Sequence, residues 1–189
     1  LLPNWVNLEL ISPQLGRARF ENPYRRELGI GSDQLVLMYS GSMNKKQGLE
    51  VLAEVIHRLS DIPHLVWLLA GEGPTKLQLI EATQGLTQVH HLPLQPTARL
   101  NDWLNAADIH LLPQKAEAAD LVLPSKLLGI LASGKPVVAS SPTESELASI
   151  TKQAGVCVAP GDIDSFALAL RELISSPQSR ADAGQRARE

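Results

Sequence analysis

Cysteine is almost missing from this 189-residue chain, which holds only Cys157. One thiol cannot build an intrachain disulfide framework, and the count fits a reducing compartment, so the expected location is cytoplasmic. Net charge is small as well, at −3, which gives no basis for a nucleic-acid or membrane partner recruited by bulk charge. No apolar run approaches the ~18 residues of a spanning helix, and no signal-peptide pattern is present. His57, His64, His90, His91 and His110 show no metal-ligand spacing. They read as structural residues, and no metal site is expected. No Gly-Lys-Ser/Thr completes a Walker loop, and no nucleophile–base set can be argued, since Cys157 falls in an expected strand. There is no internal repeat and no low-complexity segment. These exclusions leave one substantial α/β domain, because the length is ample for one and short for two.

What is present is organised around residues 119–140, a loop, a helix, a tight turn and a buried strand. Pro124 suits the first helical position, where a missing N–H costs nothing. Leu127, Leu128 and Leu131 follow at helical spacing. Gly134 fits a left-handed cap, and Pro136 stops the helix before a valine-rich strand. The backbone N–H groups near Ser125 and Lys126 lie at the positive end of the helix dipole, with a hydroxyl and an ammonium in the same turn. That combination can hold a phosphate.

Along the chain, residues 1–21 are irregular and read as an entry segment lying across the domain. The chain opens on apolar Leu1-Leu2 without a methionine, which reads as a piece of a longer protein. Strands are expected at Leu35–Ser40, His64–Ala70, Gln88–Leu92, Asp108–Pro113, Pro136–Ser140 and Gly155–Ala159. Helices are expected between them: Pro23–Leu28; a helix from Gly48 burying Leu49, Leu52, Val55, Ile56 and Leu59; Thr75–Thr83; and one capped by Thr97 that buries Leu100, Trp103, Leu104 and Ala107. Thr143 with Glu146 has capping-box spacing for a short helix ending at Ile150. Asp162 caps an amphipathic helix through Leu173 and Ile174. Residues 177–189 are polar and read as a partly helical tail without a docking partner. Alternation at this pitch predicts a doubly wound, Rossmann-like parallel sheet of about six strands with helices on both faces, and ligands then sit beyond the strands' carboxyl ends.

Those ends name the candidate residues. Gly41 and Ser42, with Lys46 and Gln47 close behind, lie where a strand meets a helix start. Gly71-Glu72-Gly73 looks like part of a dinucleotide fingerprint whose third glycine is missing, and a plain strand-to-helix turn explains it equally well. Leu92-Pro93-Leu94 and Lys115 close two further strands. Glu117 and Asp120 are acids in the loop before the Pro124-Ser125-Lys126-Leu127 helix start, where an ordinary solvated loop is the competing reading for Glu117.

Several strings together resemble one family. Leu2-Pro3-Asn4-Trp5-Val6, Tyr39-Ser40-Gly41-Ser42-Met43, Leu69-Ala70-Gly71-Glu72-Gly73-Pro74, Ala106-Ala107-Asp108-Ile109-His110 and Ala132-Ser133-Gly134-Lys135-Pro136-Val137 resemble the C-terminal, nucleotide-sugar-binding domain of GT-B glycosyltransferases of family four, the glycogen-synthase-like retaining group. Leu123-Pro124-Ser125-Lys126-Leu127 resembles the branch that builds capsule, colanic-acid and O-antigen polysaccharides. The resemblance covers nearly the whole chain. It departs where the family often carries two glutamates, positions that fall on Leu121 and Gly129, and where it often carries an arginine and a lysine, positions that fall on Ser42 and Gln47.

The resemblance implies half of a GT-B fold, with residues 1–22 crossing from a missing N-terminal domain, 23–176 forming the nucleotide-sugar domain and 177–189 the tail. It implies transfer of a hexose from a UDP- or GDP-sugar to a glycan or lipid-linked glycan acceptor, with no cofactor, no nucleic acid and no metal-binding Asp-x-Asp motif. The leaving diphosphate would be held by Lys126, the helix start at Ser125, the amides at Gly41-Ser42 and nearby lysine charge. Asp120 or Glu117 would accept from donor-sugar hydroxyls, and the base would lie on Leu92-Pro93-Leu94. Acceptor binding, and any membrane association, would belong to the missing parts. A non-catalytic Rossmann-like nucleotide- or partner-binding module is the rival. A response-regulator-like domain lacks its acidic cluster at the first strand end.

Overall fold

Leu35–Ser40 forms the central strand β1, and its burial shows why an unbroken apolar run is needed there. Leu35, Leu37 and Tyr39 pack into one hydrophobic layer, Val36 and Met38 into the layer on the opposite face. A parallel strand covered on both sides has no solvent face to make polar. This computed structural model describes residues 10–14, 18–118 and 123–189. The remaining strands are β2 (Leu65–Ala70), β3 (Val89–Leu92), β4 (Ile109–Leu112), β5 (Val137–Ser140) and β6 (Gly155–Val158). All pair in parallel, in the order β3-β2-β1-β4-β5-β6. Strand order reverses between β1 and β4, and a crevice opens at such a point beyond the carboxyl ends.

The helices are α1 (Pro23–Glu27), α2 (Leu49–Arg58), α3 (Lys76–Ala82), α4 (Leu100–Ala106), α5 (Ser125–Ala132), α6 (Glu146–Ala154), α7 (Ile163–Ser175) and α8 (Pro177–Arg188). One layer joins α2, α3 and α7 to the sheet, and the other is built on α1 and α4. A third cluster lies beneath α5 and α6, through Leu127, Ile130, Leu147 and Ala154. No helix among the described residues is long and apolar enough to cross a membrane.

Several sequence expectations shift here. Pro124 is the N-cap of α5, one position before the helix rather than inside it. Thr97 opens a single 3-10 turn, and no side chain caps α4. The cap of α6 is Ser145, whose hydroxyl accepts from Ala148 N, so Thr143 is displaced by a residue at the right offset and the helix runs on to Ala154. Asp162 does cap α7, accepting from Ser165 N at 2.9 Å.

The largest difference is residues 177–188. They form α8, which docks on α5, α6 and α7 instead of standing free. Little of the contact is hydrophobic, which is why periodicity did not reveal it. Arg180 donates to Leu173 O and Ile174 O, Arg186 to Gln153 O, and Arg188 to Ala132 O. Each guanidinium thus satisfies orphan carbonyls at the end of another helix, where a cation is also favoured by the dipole.

Candidate active site

A cavity of about 630 Å³ opens where β1 and β4 diverge. Its wall includes Ser40 and Gly41 from the end of β1, Leu94 and Thr97 after β3, Asn101, Trp103 and Leu104 of α4, and Ser125, Lys126, Gly129 and Ile130 of α5. The lining is mostly apolar, and Lys126 is its one cation among the described residues. His110 also reaches the wall but contributes no charge. Its imidazole is buried, Nε2 donates to Leu104 O at 3.1 Å, and burial pushes its pKa down to about 3.

Among the described residues Lys126 has no counter-charge. Its Nζ donates to Gln47 Oε1 at 2.6 Å and to Tyr39 Oη at 3.2 Å, and stands 4.4 Å from the centre of the Tyr39 ring. Tyr39 Oη in turn donates to Ser42 O at 2.5 Å. Burial alone lowers the lysine pKa to about 7, and raises that of the Tyr39 phenol. The side chain reaches this position by crossing Gly41. A Cβ there would lie 3.3 Å from Lys126 Cδ, and the backbone at φ 141° is one that glycine tolerates.

Pro124, the N-cap of α5, makes no side-chain cap hydrogen bond. Leu127 N donates to Pro124 O, while the amides of Ser125 and Lys126 have no acceptor among the described residues. The N-terminus of this eight-residue helix therefore meets the cavity with two unspent donors beside the ammonium.

The expected glycine amides divide differently. Gly41 N donates to Ala70 O at 2.9 Å, so it is spent inside the sheet and cannot serve a ligand; Ser42 N is left. Gly71 and Gly73 lie outside the cavity wall and have a packing role. A Cβ on Gly71 would collide with Gly41 O, and one on Gly73 with Met43 O. The second loop thus presses directly against the first, and Met43 N donates to Glu72 O at 2.8 Å to join them. Gly71-Glu72-Gly73 forms a tight strand-to-helix turn packed on the first loop.

Of the other sequence candidates, Leu94 reaches the cavity, while Leu92, Pro93, Pro124 and Leu127 do not line it. Glu72 pairs with Lys76 at 2.6 Å, and Lys115 pairs with Glu50 at 2.7 Å. Lys46 and Glu117 are exposed on 3-10 turns away from the wall. Asp120 and Leu121 fall outside the described residues. The one Asp-x-Asp string, Asp162-Ile163-Asp164, is spent on the cap of α7 and on an ion pair from Asp164 to Arg58. Among the described residues no group of three acids, histidines or cysteines could hold a metal ion.

Sequence reasoning missed Tyr39 and Trp103 as site residues. Trp103 Nε1 donates to Ser40 Oγ at 2.9 Å, which fixes the floor of the cavity. Tyr39 could have been found, since a phenol as the last inward residue of a buried strand needs a polar partner at the strand's carboxyl end.

The model of the family "Glycosyl transferases group 1" matches residues 20–189. The chain belongs to this family. A protein of Escherichia coli strain K12 named as a colanic acid biosynthesis glycosyl transferase, WcaI, is 32% identical over 188 residues, covering 93% of this chain and 44% of the relative. The chain thus spans less than half the length of that relative. Among solved structures, sucrose-phosphate synthase from Thermosynechococcus elongatus superposes with a TM-score of 0.79 at 21% identity, over 100% of this chain and 46% of that one. Anabaena Alr3699/HepE, solved in complex with UDP-glucose, gives 0.77 at 17% identity, over 98% of this chain and 50% of that one. At these identities the likeness establishes the fold, the open α/β half of a GT-B glycosyltransferase.

Proposed function

We propose that this chain is the sugar-nucleotide-binding half of a retaining glycosyltransferase that moves a hexose from a UDP- or GDP-sugar to a polysaccharide precursor. The observation that carries it is the pairing of an apolar cavity at the topological switch point with an ammonium and two amides at its end that no described residue compensates or accepts from. The apolar wall suits a nucleoside, with Leu94, 53% exposed, as the surface for the base. The polar end suits a diphosphate. The HepE complex with UDP-glucose supports the same class of ligand on the same fold.

In such a reaction negative charge grows on the departing phosphate as the bond to the sugar breaks. Lys126 Nζ and the Ser125 and Lys126 amides are fixed groups that meet that charge better as it develops, which is the condition for lowering the barrier. Neither a metal nor another cofactor is proposed. Asp120 or Glu117 remains the proposed acceptor from donor-sugar hydroxyls, and Asp120→Ala would slow transfer more than it weakens nucleotide binding. Acceptor binding, by a glycan or lipid-linked glycan, is proposed for the N-terminal domain of the same protein, in a cytoplasmic setting.

A thermal-shift panel of UDP, GDP, ADP and uridine with the full-length protein tests this reading. Stabilisation by one nucleoside diphosphate at millimolar concentration, and less by its nucleoside, is the expected outcome. No response to any of the four would favour the rival, a non-catalytic module.

A further inference from the structure

The surroundings of Lys126 hold more than a phosphate contact requires. A cation drawn out of water is normally met by a carboxylate, or it carries a cost. Among the described residues it meets only neutral groups: the Gln47 amide oxygen, the Tyr39 hydroxyl and the Tyr39 ring face. Tyr39 Oη spends its own proton on Ser42 O, so its lone pair is turned to the lysine and the first loop is locked to the same group. We propose that Tyr39 and Gln47 are positioning residues that keep the Lys126 ammonium in place without compensating it, leaving the diphosphate to supply the counter-charge. The proposal rests on the assignment of Lys126 to the diphosphate.

The consequence is a proton taken up on binding. Free of ligand, the half-buried lysine loses its proton readily near neutral pH, because burial disfavours its charged form and no carboxylate among the described residues offsets this. A bound dianion restores the charged form, because an opposite charge within hydrogen-bond reach favours it. The groups around Lys126 among the described residues are the Tyr39 phenol and Gln47 amide, with His110 in the same cavity wall. The phenol stays protonated and the imidazole stays neutral at pH 8, so neither supplies or takes that proton. UDP is fully ionised at that pH, since its last phosphate proton leaves near pH ~6.

Titration calorimetry of the full-length protein with UDP or GDP at pH 8, in buffers of different ionisation enthalpy, measures the uptake directly. The parent is expected to take up close to one proton per nucleotide. Gln47→Glu places a carboxylate on the ammonium in advance. It should bring uptake near zero and weaken nucleotide binding at least ~10-fold, by adding a charge that repels the diphosphate. Tyr39→Phe keeps the ring and removes the hydroxyl. It should retain part of the uptake while weakening binding several-fold, and a merely structural role would lower stability and leave uptake unchanged. Lys126→Met separates the two levels. If it binds as the parent does, the diphosphate assignment itself fails, and the proposal with it. If it binds weakly but the parent takes up no proton, or Gln47→Glu keeps both uptake and affinity, the positioning proposal alone is overturned.

Discussion

Arg25 and Lys126 are both cations withdrawn from water, at opposite ends of β1 and β4, and their surroundings differ in kind. Arg25, 1% exposed, donates to Asp108 Oδ2 at 2.5 Å, to Ala106 O and to Gln34 O, and Asp108 also accepts from Val36 N and pairs with Arg19. That cluster ties the amino ends of the two strands to α1, to the end of α4 and to Gln34 and Arg19. Lys126 has no carboxylate among the described residues, and its neutral partners leave the charge unmet. A compensated buried charge is a fold element; an uncompensated one, in a cavity at the switch point, is a place kept for an anion.

The strongest way to break this contrast is Arg25→Met. It removes the buried partner of the Asp108 carboxylate, leaving it only the half-exposed Arg19 and the Val36 amide, and should cost about 3–5 kcal/mol in urea unfolding. Nucleotide affinity of the protein that remains folded should not change. A parallel loss of affinity would mean that the two ends are not separate.

The pH dependence of stability divides the ends next. His110 binds its proton far less readily in the fold than its ordinary pKa of 6.5 would give, with a folded value of about 3. The unfolded chain therefore holds more protons between those values, and stability falls as pH drops through that window. By pH 4.5 the contribution is about 2–3 kcal/mol, and His110→Leu should flatten this part of the profile. Lys126, also depressed, acts in the window from about 7 to its ordinary value of 10.5. The unfolded state again holds more protons there, so stability rises with pH, and Lys126→Ala should abolish that rise. A profile with neither slope would remove the argument from burial.

The smallest effect should come from Lys115→Ala. Its pair with Glu50 is exposed on both sides, so denaturant midpoints should hardly move and UDP affinity should stay as it was. A clear loss of affinity would make Lys115 a second diphosphate group.

Much of the fold could be read from local pattern. The β1 and β2 runs are apolar because both faces are covered, and Gly134 closes α5 at φ 64° as its place after the leucines requires. At the site, Gly41, Leu94, Ser125 and Lys126 were legible because each follows a strand or opens a helix. What local pattern does not carry is pairing across the chain. Arg25 and Asp108 lie 83 residues apart, and Lys126 and Gln47 lie 79 apart. Only the sheet order brings them together. Helix α8 was misread for a related reason, since its arginines cap three other helices and a polar sequence gives no sign of partners elsewhere.

The most direct measurement is calorimetric binding of UDP, GDP and the bare nucleosides to the full-length protein and its Lys126→Ala variant. The variant should fold as well as the parent, lose about 1.5–3 kcal/mol of nucleoside-diphosphate affinity, the range for a hydrogen bond to a charged group, and bind uridine or guanosine unchanged. Equal affinity of parent and variant for UDP and GDP would contradict the account, because the unmet charge at the end of the cavity would then have no anion to meet.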